Sequence, residues 1–171
     1  LTSQFFEQEP GKEFEIIKLL IFDKVKKELE NRQIRVENIR RVIDYAEKTG
    51  DHLINRETGH KLARNRELNV TFWVEYSVQD DGYVIHNAYS HRMEIGPESD
   101  AKTTLAGEAA DTPWHCAKCD SLLEPRTIVV HYLKYDFPVS LLKCQKCDFV
   151  LVTEDLALGK MAEVEQLLED K

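Results

Sequence analysis

Apolar side chains recur at helical spacing through Phe14, Ile17, Leu20, Ile21, Val25 and Leu29, which predicts a first helix ending near Asn31. A second helix follows, with Val36, Ile39, Val42, Ile43 and Ala46 on one face. Thr49-Gly50 stops it, glycine being suited to the left-handed residue after a helix end. Residues 51–67 are polar, include His52 and His60, and read as mostly loop. From Leu68 the period drops to two. Val70, Phe72, Val74, Tyr76 and Val78 alternate with Thr71, Trp73, Glu75 and Ser77, and Gln79-Asp80-Asp81-Gly82 turns the chain. Tyr83, Ile85, Asn87, Tyr89, His91, Met93 and Ile95 then alternate with Val84, His86, Ala88, Ser90, Arg92 and Glu94 on the way back. The pattern is a long β-hairpin. Both of its faces carry large side chains, more than two helices need to cover, so one face is expected to meet a partner.

Residues 96–112, GPESDAKTTLAGEAADT, contain a single large apolar side chain, Leu105, and read as a flexible linker. Beyond it, Arg126–Leu133, Phe137–Lys143 and Phe149–Val152 predict strands. Thr153 is placed to cap a helix over about Glu154–Leu168, with Leu156, Met161, Val164 and Leu168 along one stripe. That stripe has little sheet to cover and is a second expected contact with a partner. The fold class expected is α+β in two small domains. Residues 1–95 form a helix–helix–β-hairpin module, 96–112 the linker, and 113–171 a zinc-ribbon-like or rubredoxin-like four-cysteine module closed by a helix.

Composition narrows the function. The chain has 171 residues, 23 basic against 31 acidic side chains and a net charge of −8. A protein that grips phosphate backbones usually has the opposite sign, so nucleic-acid binding is disfavoured. No apolar run reaches the eighteen or so residues of a membrane span, and no basic-then-apolar opening resembles a signal peptide. A cytoplasmic location is the expectation.

All four cysteines fall in the last third, as Cys116-Ala117-Lys118-Cys119 and Cys144-Gln145-Lys146-Cys147. Two residues between thiolates let a tight turn present both sulfurs, with backbone N–H groups, to one ion. Two such turns facing each other make a tetrahedral S₄ site that suits Zn²⁺. The residue after such a turn often needs positive φ, and here it is Asp120 or Asp148 rather than glycine. Lys118 and Lys146 offer a partial charge offset, and Trp114 and His115 a shield. The metal ligands expected are therefore Cys116, Cys119, Cys144 and Cys147, around a structural Zn²⁺. The same geometry also suits a single redox-active Fe, as in rubredoxin. A thioredoxin-like dithiol fits less well, because each pair is flanked by strands rather than opening a helix.

Two resemblances follow from quoted residues. Over about residues 113–171, Trp114-His115-Cys116-Ala117-Lys118-Cys119, Tyr132-Leu133, Phe137-Pro138-Val139, Leu142-Lys143-Cys144-Gln145-Lys146-Cys147, Asp155-Leu156-Ala157-Leu158-Gly159-Lys160-Met161 and 163–171 resemble a family of short CxxC/CxxC redox proteins. That family belongs to anaerobic bacteria and lies near genes for molybdenum or tungsten aldehyde oxidoreductases. It usually has Gly after each CxxC, where this chain has Asp. Over about residues 14–95, Thr58-Gly59-His60, Asn69–Tyr76 and Asn87–Met93 are similar to a tail segment of anaerobic flavin- and iron–sulfur-binding pyridine-nucleotide oxidoreductases. The nucleotide- and cluster-binding parts of such enzymes have no counterpart in the chain. Both resemblances imply the setting of an anaerobic multi-subunit oxidoreductase, with flavin, iron–sulfur or molybdenum/tungsten subunits as partners.

No HxxxH, Walker loop, Ser/His/Asp order or acidic dyad is legible. His60 and His91 lie inside the resembling segments, with a hydrogen-bonded, half-buried side chain as the expected role of His91. The function expected is an accessory or docking subunit with a structural four-cysteine metal site and no independent catalysis. The alternatives are a rubredoxin-like one-electron carrier with Fe in the site, or a nucleic-acid-binding zinc ribbon.

Overall fold

A computed structural model describes residues 3–6, 17–100, 102 and 112–170. The strands are β1 (Ser3–Phe6), β2 (Lys18–Phe22), β3 (Leu53–Asn55), β4 (Lys61–Glu67), β5 (Val70–Gln79), β6 (Gly82–His91), β7 (Glu94–Glu98), β8 (Trp114–Cys116), β9 (Ser121–Tyr132), β10 (Tyr135–Cys144) and β11 (Val150–Leu151). Helices α1 (Asp23–Asn31) and α2 (Val36–Thr49) follow β2. At the C-terminal end α3 (Glu154–Leu156), a π-helical turn (Ala157–Met161) and α4 (Ala162–Glu169) run as one helix.

These strands form one sheet, in the order β1-β2-β6-β5-β4-β3-β8-β9-β10-β11, with β7 pairing β9 off that path. Among the described pairs only β2 with β6 is parallel, so the sheet is mixed. The expected α+β pair of small modules is therefore corrected to a single large mixed sheet with short helices. Two backbone pairings make the difference. Strand β3 sets Leu53, Ile54 and Asn55 opposite Cys116, His115 and Trp114 of β8. Strand β7, which covers part of the expected linker, sets Glu94 and Ile95 opposite His131 and Val130 of β9. Because β7 continues β6 after only Arg92 and Met93, this second pairing curls the sheet back on itself. Gly96 permits the approach, since a Cβ there would lie 2.7 Å from the Val129 carbonyl oxygen. Residues 101 and 103–111 of the expected linker lie outside the described residues.

Other elements differ for identifiable reasons. The expected first helix is a strand over Lys18–Phe22 and a helix only from Asp23, while Phe14 lies outside the described residues. A short apolar run satisfies either period, and here Leu19 and Ile21 alternate inward beside β6. The polar stretch 51–67 contains β3 and β4 rather than mostly loop. Leu62 and Ala63 of β4 are buried, and Arg66 bonds the Thr71 hydroxyl at 2.8 Å, so tertiary partners override the polar composition. The hairpin β5–β6 forms, with a register shift between Glu75 and Tyr76 that breaks strict alternation. Tyr89 consequently shares a core with Trp73, not with Tyr76 and Ile85.

The sheet carries a core on each face. Ala63, Val74, Tyr76, Ile85 and Ala88 pack with Leu29, Ile39, Val42, Ile43 and Ala46 of the two helices. Leu62, Trp73, Tyr89 and Met93 pack with Ile128, Leu141, Phe149, Leu156 and Met161 from the second half of the chain. Val164 and Leu168 join that second core. Both apolar surfaces expected to meet a partner are thus covered by the chain itself. Thr153 caps the C-terminal helix through Leu156 N–H, and the helix is clamped along its length. Glu154 accepts from Arg32 at 2.8 Å and Asn87 at 2.5 Å. The Glu165 carboxylate accepts the Arg92 and Met93 N–H groups, each at 3.0 Å.

A core built from both halves predicts joint unfolding. Trp73→Ala should cost about 3–5 kcal/mol and melt the chain in one urea transition, with Trp114 fluorescence and far-UV dichroism coinciding. A separate, later Trp114 transition would contradict the shared core.

Candidate metal centre

Cys116 ends β8 and Cys144 ends β10, and in each case a turn carries the second cysteine of the pair. The turns exit through Asp120 at φ 50° and Asp148 at φ 65°, the left-handed conformation expected after each CxxC. Aspartate tolerates that region better than most residues, but less well than glycine. Asp148 is also 3.1 Å from Lys143.

The four ligand sulfurs lie within 4.8 Å of one another, with Cys116 and Cys147 at 3.5 Å. In a tetrahedron with sulfurs about 2.3 Å from the ion, neighbouring sulfurs are about 3.8 Å apart. The cluster has the spacing of a metal site, and all four cysteines are unbridged. Cys116 and Cys144 are buried, whereas Cys119 and Cys147 are half-buried. The shell draws all four ligands from one chain and joins two turns that are distant in sequence.

The sulfur environments differ. Burial pushes the Cys116 thiol up to about 12, and the Cys147 and Cys144 sulfurs add to the rise against a single helpful amide, that of Cys119. Burial and the sulfurs of Cys147 and Cys144 also raise Cys119. For Cys144 burial again opposes ionisation, but the Ser121 hydroxyl at 3.1 Å and the amides of Lys146 and Cys147 outweigh it and lower the thiol to about 6. A cluster that ionises unevenly on its own is one in which a dication would compensate the crowded thiolates.

The surroundings tie this cluster to the first half of the sheet. Ala117 N–H donates to the His52 carbonyl at 3.0 Å, fixing the first turn on the residue before β3. Phe149, two residues after Cys147, is fully buried edge-on to Trp73 at 6.0 Å, with the Arg64 guanidinium 3.8 Å above its ring. Arg64 also reaches Asp51 at 3.4 Å. Ser121, His52 and Arg64 carry no motif that marks them as neighbours of the cysteines. Ser121 directly follows the first turn in sequence, whereas the other two are brought in only by tertiary pairing.

Of the other expected residues, Trp114 packs against the shared core and His115 is half-buried, with its Nδ1 lacking a hydrogen-bond partner. Lys118 and Lys146 are exposed, and Lys146 contributes its backbone N–H to Cys144 at 3.4 Å. His91 is buried. It accepts the Trp73 indole N–H on Nε2 at 3.0 Å, which puts its own proton on Nδ1, 2.9 Å from the Met93 carbonyl. Burial, then Arg66 and Arg64, hold this imidazole down to about 4 against the Met93 bond, so it is neutral at pH 7. His60 belongs to a separate polar cluster with Glu75.

Residues 112–171 match a family described as a domain of unknown function (DUF7479). Among curated proteins and solved structures, nothing matches the chain. Among the described residues no helix is long and apolar enough to cross a membrane.

Two outcomes are expected. Adding a divalent metal to reduced, metal-free protein at pH 7 should release about two or more protons per ion, the raised thiols of Cys116 and Cys119 being among their sources. Affinity should fall as pH drops, because protons compete for the sulfurs. An indicator-dye titration measures both. Asp120→Gly, at φ 50°, should stabilise the metal-loaded protein by about 0.5–1 kcal/mol in chemical denaturation.

Proposed function

We propose that Cys116, Cys119, Cys144 and Cys147 bind a structural Zn²⁺ and that the chain serves as an accessory or docking subunit of an anaerobic oxidoreductase complex. The observation that carries the zinc reading is the four-sulfur cluster within 4.8 Å. A closed set of four thiolates suits a d¹⁰ ion and leaves no position for substrate. When bound, such an ion supplies cross-linking rather than catalysis. The protein's own groups do the rest. The amides of Lys146 and Cys147 and the Ser121 hydroxyl stabilise Cys144 as thiolate, and the His52 carbonyl holds the first turn in place.

The setting in an oxidoreductase complex rests on the two resemblances, one of which covers nearly the same residues as the family match at 112–171. The partners proposed are larger flavin, iron–sulfur or molybdenum/tungsten subunits. The acidic net charge of −8 argues for a protein partner over nucleic acid. One observation favours a second reading, that of a one-electron carrier with Fe in the same site. Cys119 and Cys147, one from each turn, are only half-buried and would give an electron a short path to the surface.

Metal analysis of anaerobically purified protein separates these readings. One Zn²⁺ per chain and a colourless solution are expected. Stoichiometric iron with visible thiolate-to-iron absorption would replace the zinc reading with the carrier. Cys119→Ser should weaken metal binding and destabilise the protein by several kcal/mol, since structural zinc contributes about 10–16 kcal/mol in small peptides. Native co-purification tests the partner. Recovery of the metal-loaded chain as a monomer free of oxidoreductase subunits from its native source would count against the accessory role.

A further inference from the structure

A polar cluster away from the cysteines is built around the register shift of the β5–β6 hairpin. Glu75 stands opposite Asn87 and Tyr76 opposite Ile85, so His86 is the extra residue of a bulge. Bulges re-aim side chains. Here the His86 ring lies flat against that of His60, with centroids 3.7 Å apart and planes 5° from parallel. His60 Nδ1 is 2.8 Å from the Glu75 carboxylate, and His86 Nε2 is 2.8 Å from the Ser77 hydroxyl. All four residues are half-buried.

The position of His60 gives the stack a mechanical consequence. His60 closes the turn between β3 and β4, its carbonyl accepting Asn55 N–H at 2.8 Å. Within that turn Gly59, at φ 77°, donates its N–H to the Asn55 carbonyl at 2.8 Å. The turn also holds the entry to the metal-bearing segment, because Arg56 N–H donates to the Pro113 carbonyl at 2.9 Å and Asn55 pairs with Trp114. The ring stack therefore fastens the turn to the hairpin on one side, while the same turn fastens β8 on the other.

The charged groups facing His86 are His60 and Glu75. Of the neighbours on adjoining elements, Lys61 is engaged by Glu47 at 3.0 Å, and Glu154 by Arg32 and Asn87. Glu75, the carboxylate bonded to the stack through His60, can balance one imidazolium but not two stacked rings, and Glu154 and Asp155 stand farther along the same cavity wall. Burial and then His60 lower the His86 imidazole, against the pull of Glu75. The sign follows from linkage. A histidine that is harder to protonate folded than unfolded stabilises the fold fully above about pH 6.5, and that contribution is lost as pH falls below it.

We propose that the stacked His60–His86 pair is an acid-sensitive latch, in which protonation of both rings separates the 55–60 turn from the β5–β6 hairpin and loosens the β3–β8 pairing. Two imidazolium rings in van der Waals contact repel, and the turn is the lighter partner, being held on its other side by a three-residue strand. The response is local, unlike that of buried His91, whose protonation would act on the shared core.

Hydrogen exchange on the metal-loaded full chain, compared at pH 7.5 and 5.5 after correction for intrinsic rates, tests the latch. Amides of residues 54–60 should exchange about fivefold faster or more at the lower pH, with metal content measured at both pH values so that the comparison is made on fully loaded protein. His86→Phe keeps a flat ring in the stack but cannot take a proton, and should abolish the difference. Equal acceleration in wild type and His86→Phe, or none in wild type, would overturn the proposal. Should that variant fail to fold, a ¹³C titration of the wild-type and His60→Gln histidine rings decides instead. His86 should titrate below the ordinary value and move upward when His60 is replaced, and an ordinary, unresponsive titration would refute the latch.

Discussion

Strand β3 has only three residues, and the sheet is continuous along its main path only because those residues bond β4 on one edge and β8 on the other. Along that path everything after Thr112 is joined to the first half of the chain through this narrow bridge. Leu53 opposite Cys116 positions the first cysteine, and through the turn and β9 it positions β10 and the second pair. A strand this short makes few hydrogen bonds, so the junction needs support. The structure provides it at three points: the return of β7 onto β9, the Trp73–Phe149–Arg64 stack, and the helix clamped by Glu154 and Glu165.

These supports differ in strength and range. Half-exposed ion pairs such as Arg32–Glu154 are each worth up to about 1 kcal/mol after screening. Burial of Trp73 and Phe149 is worth a few kcal/mol each at about 25 cal/mol/Å². An ion held by four thiolates would exceed any of them, and it would sit at the far end of β8 from the turn that holds Pro113. The cysteine cluster and the 55–60 turn therefore secure one short strand from opposite ends.

Much of the local structure is legible in the residues. The positive φ at Asp120 and Asp148 follows from the geometry of a turn presenting two sulfurs, and Thr153 caps its helix as its side chain allows. The β5–β6 hairpin follows from period-two alternation. What escapes is long-range. Lys18–Phe22 is too short for periodicity to separate strand from helix, and β4 carries Arg64, Arg66 and Glu67, whose charges find partners only in the folded sheet. Glu94–Glu98 contains Gly96 and Pro97 and reads as a boundary, yet Gly96 is what lets β7 lie against Val129. The two-module reading fails because a weak local signal at 96–98 coincides with a strong tertiary requirement.

The π-helical turn at Ala157–Met161 bears on how the C-terminal helix keeps its phase. Leu156 and Met161 are five residues apart, a separation that in a regular α-helix would put them about 140° apart around the axis. The wider turn brings both into the core, after which Val164 and Leu168 follow at ordinary α spacing. One surplus residue is absorbed as a bulge on the exposed side, where Leu158, Gly159 and Lys160 lie. The segment thus behaves as a vernier: the surplus residue is taken up at this turn, and the Glu154 and Glu165 anchors keep their angular registration.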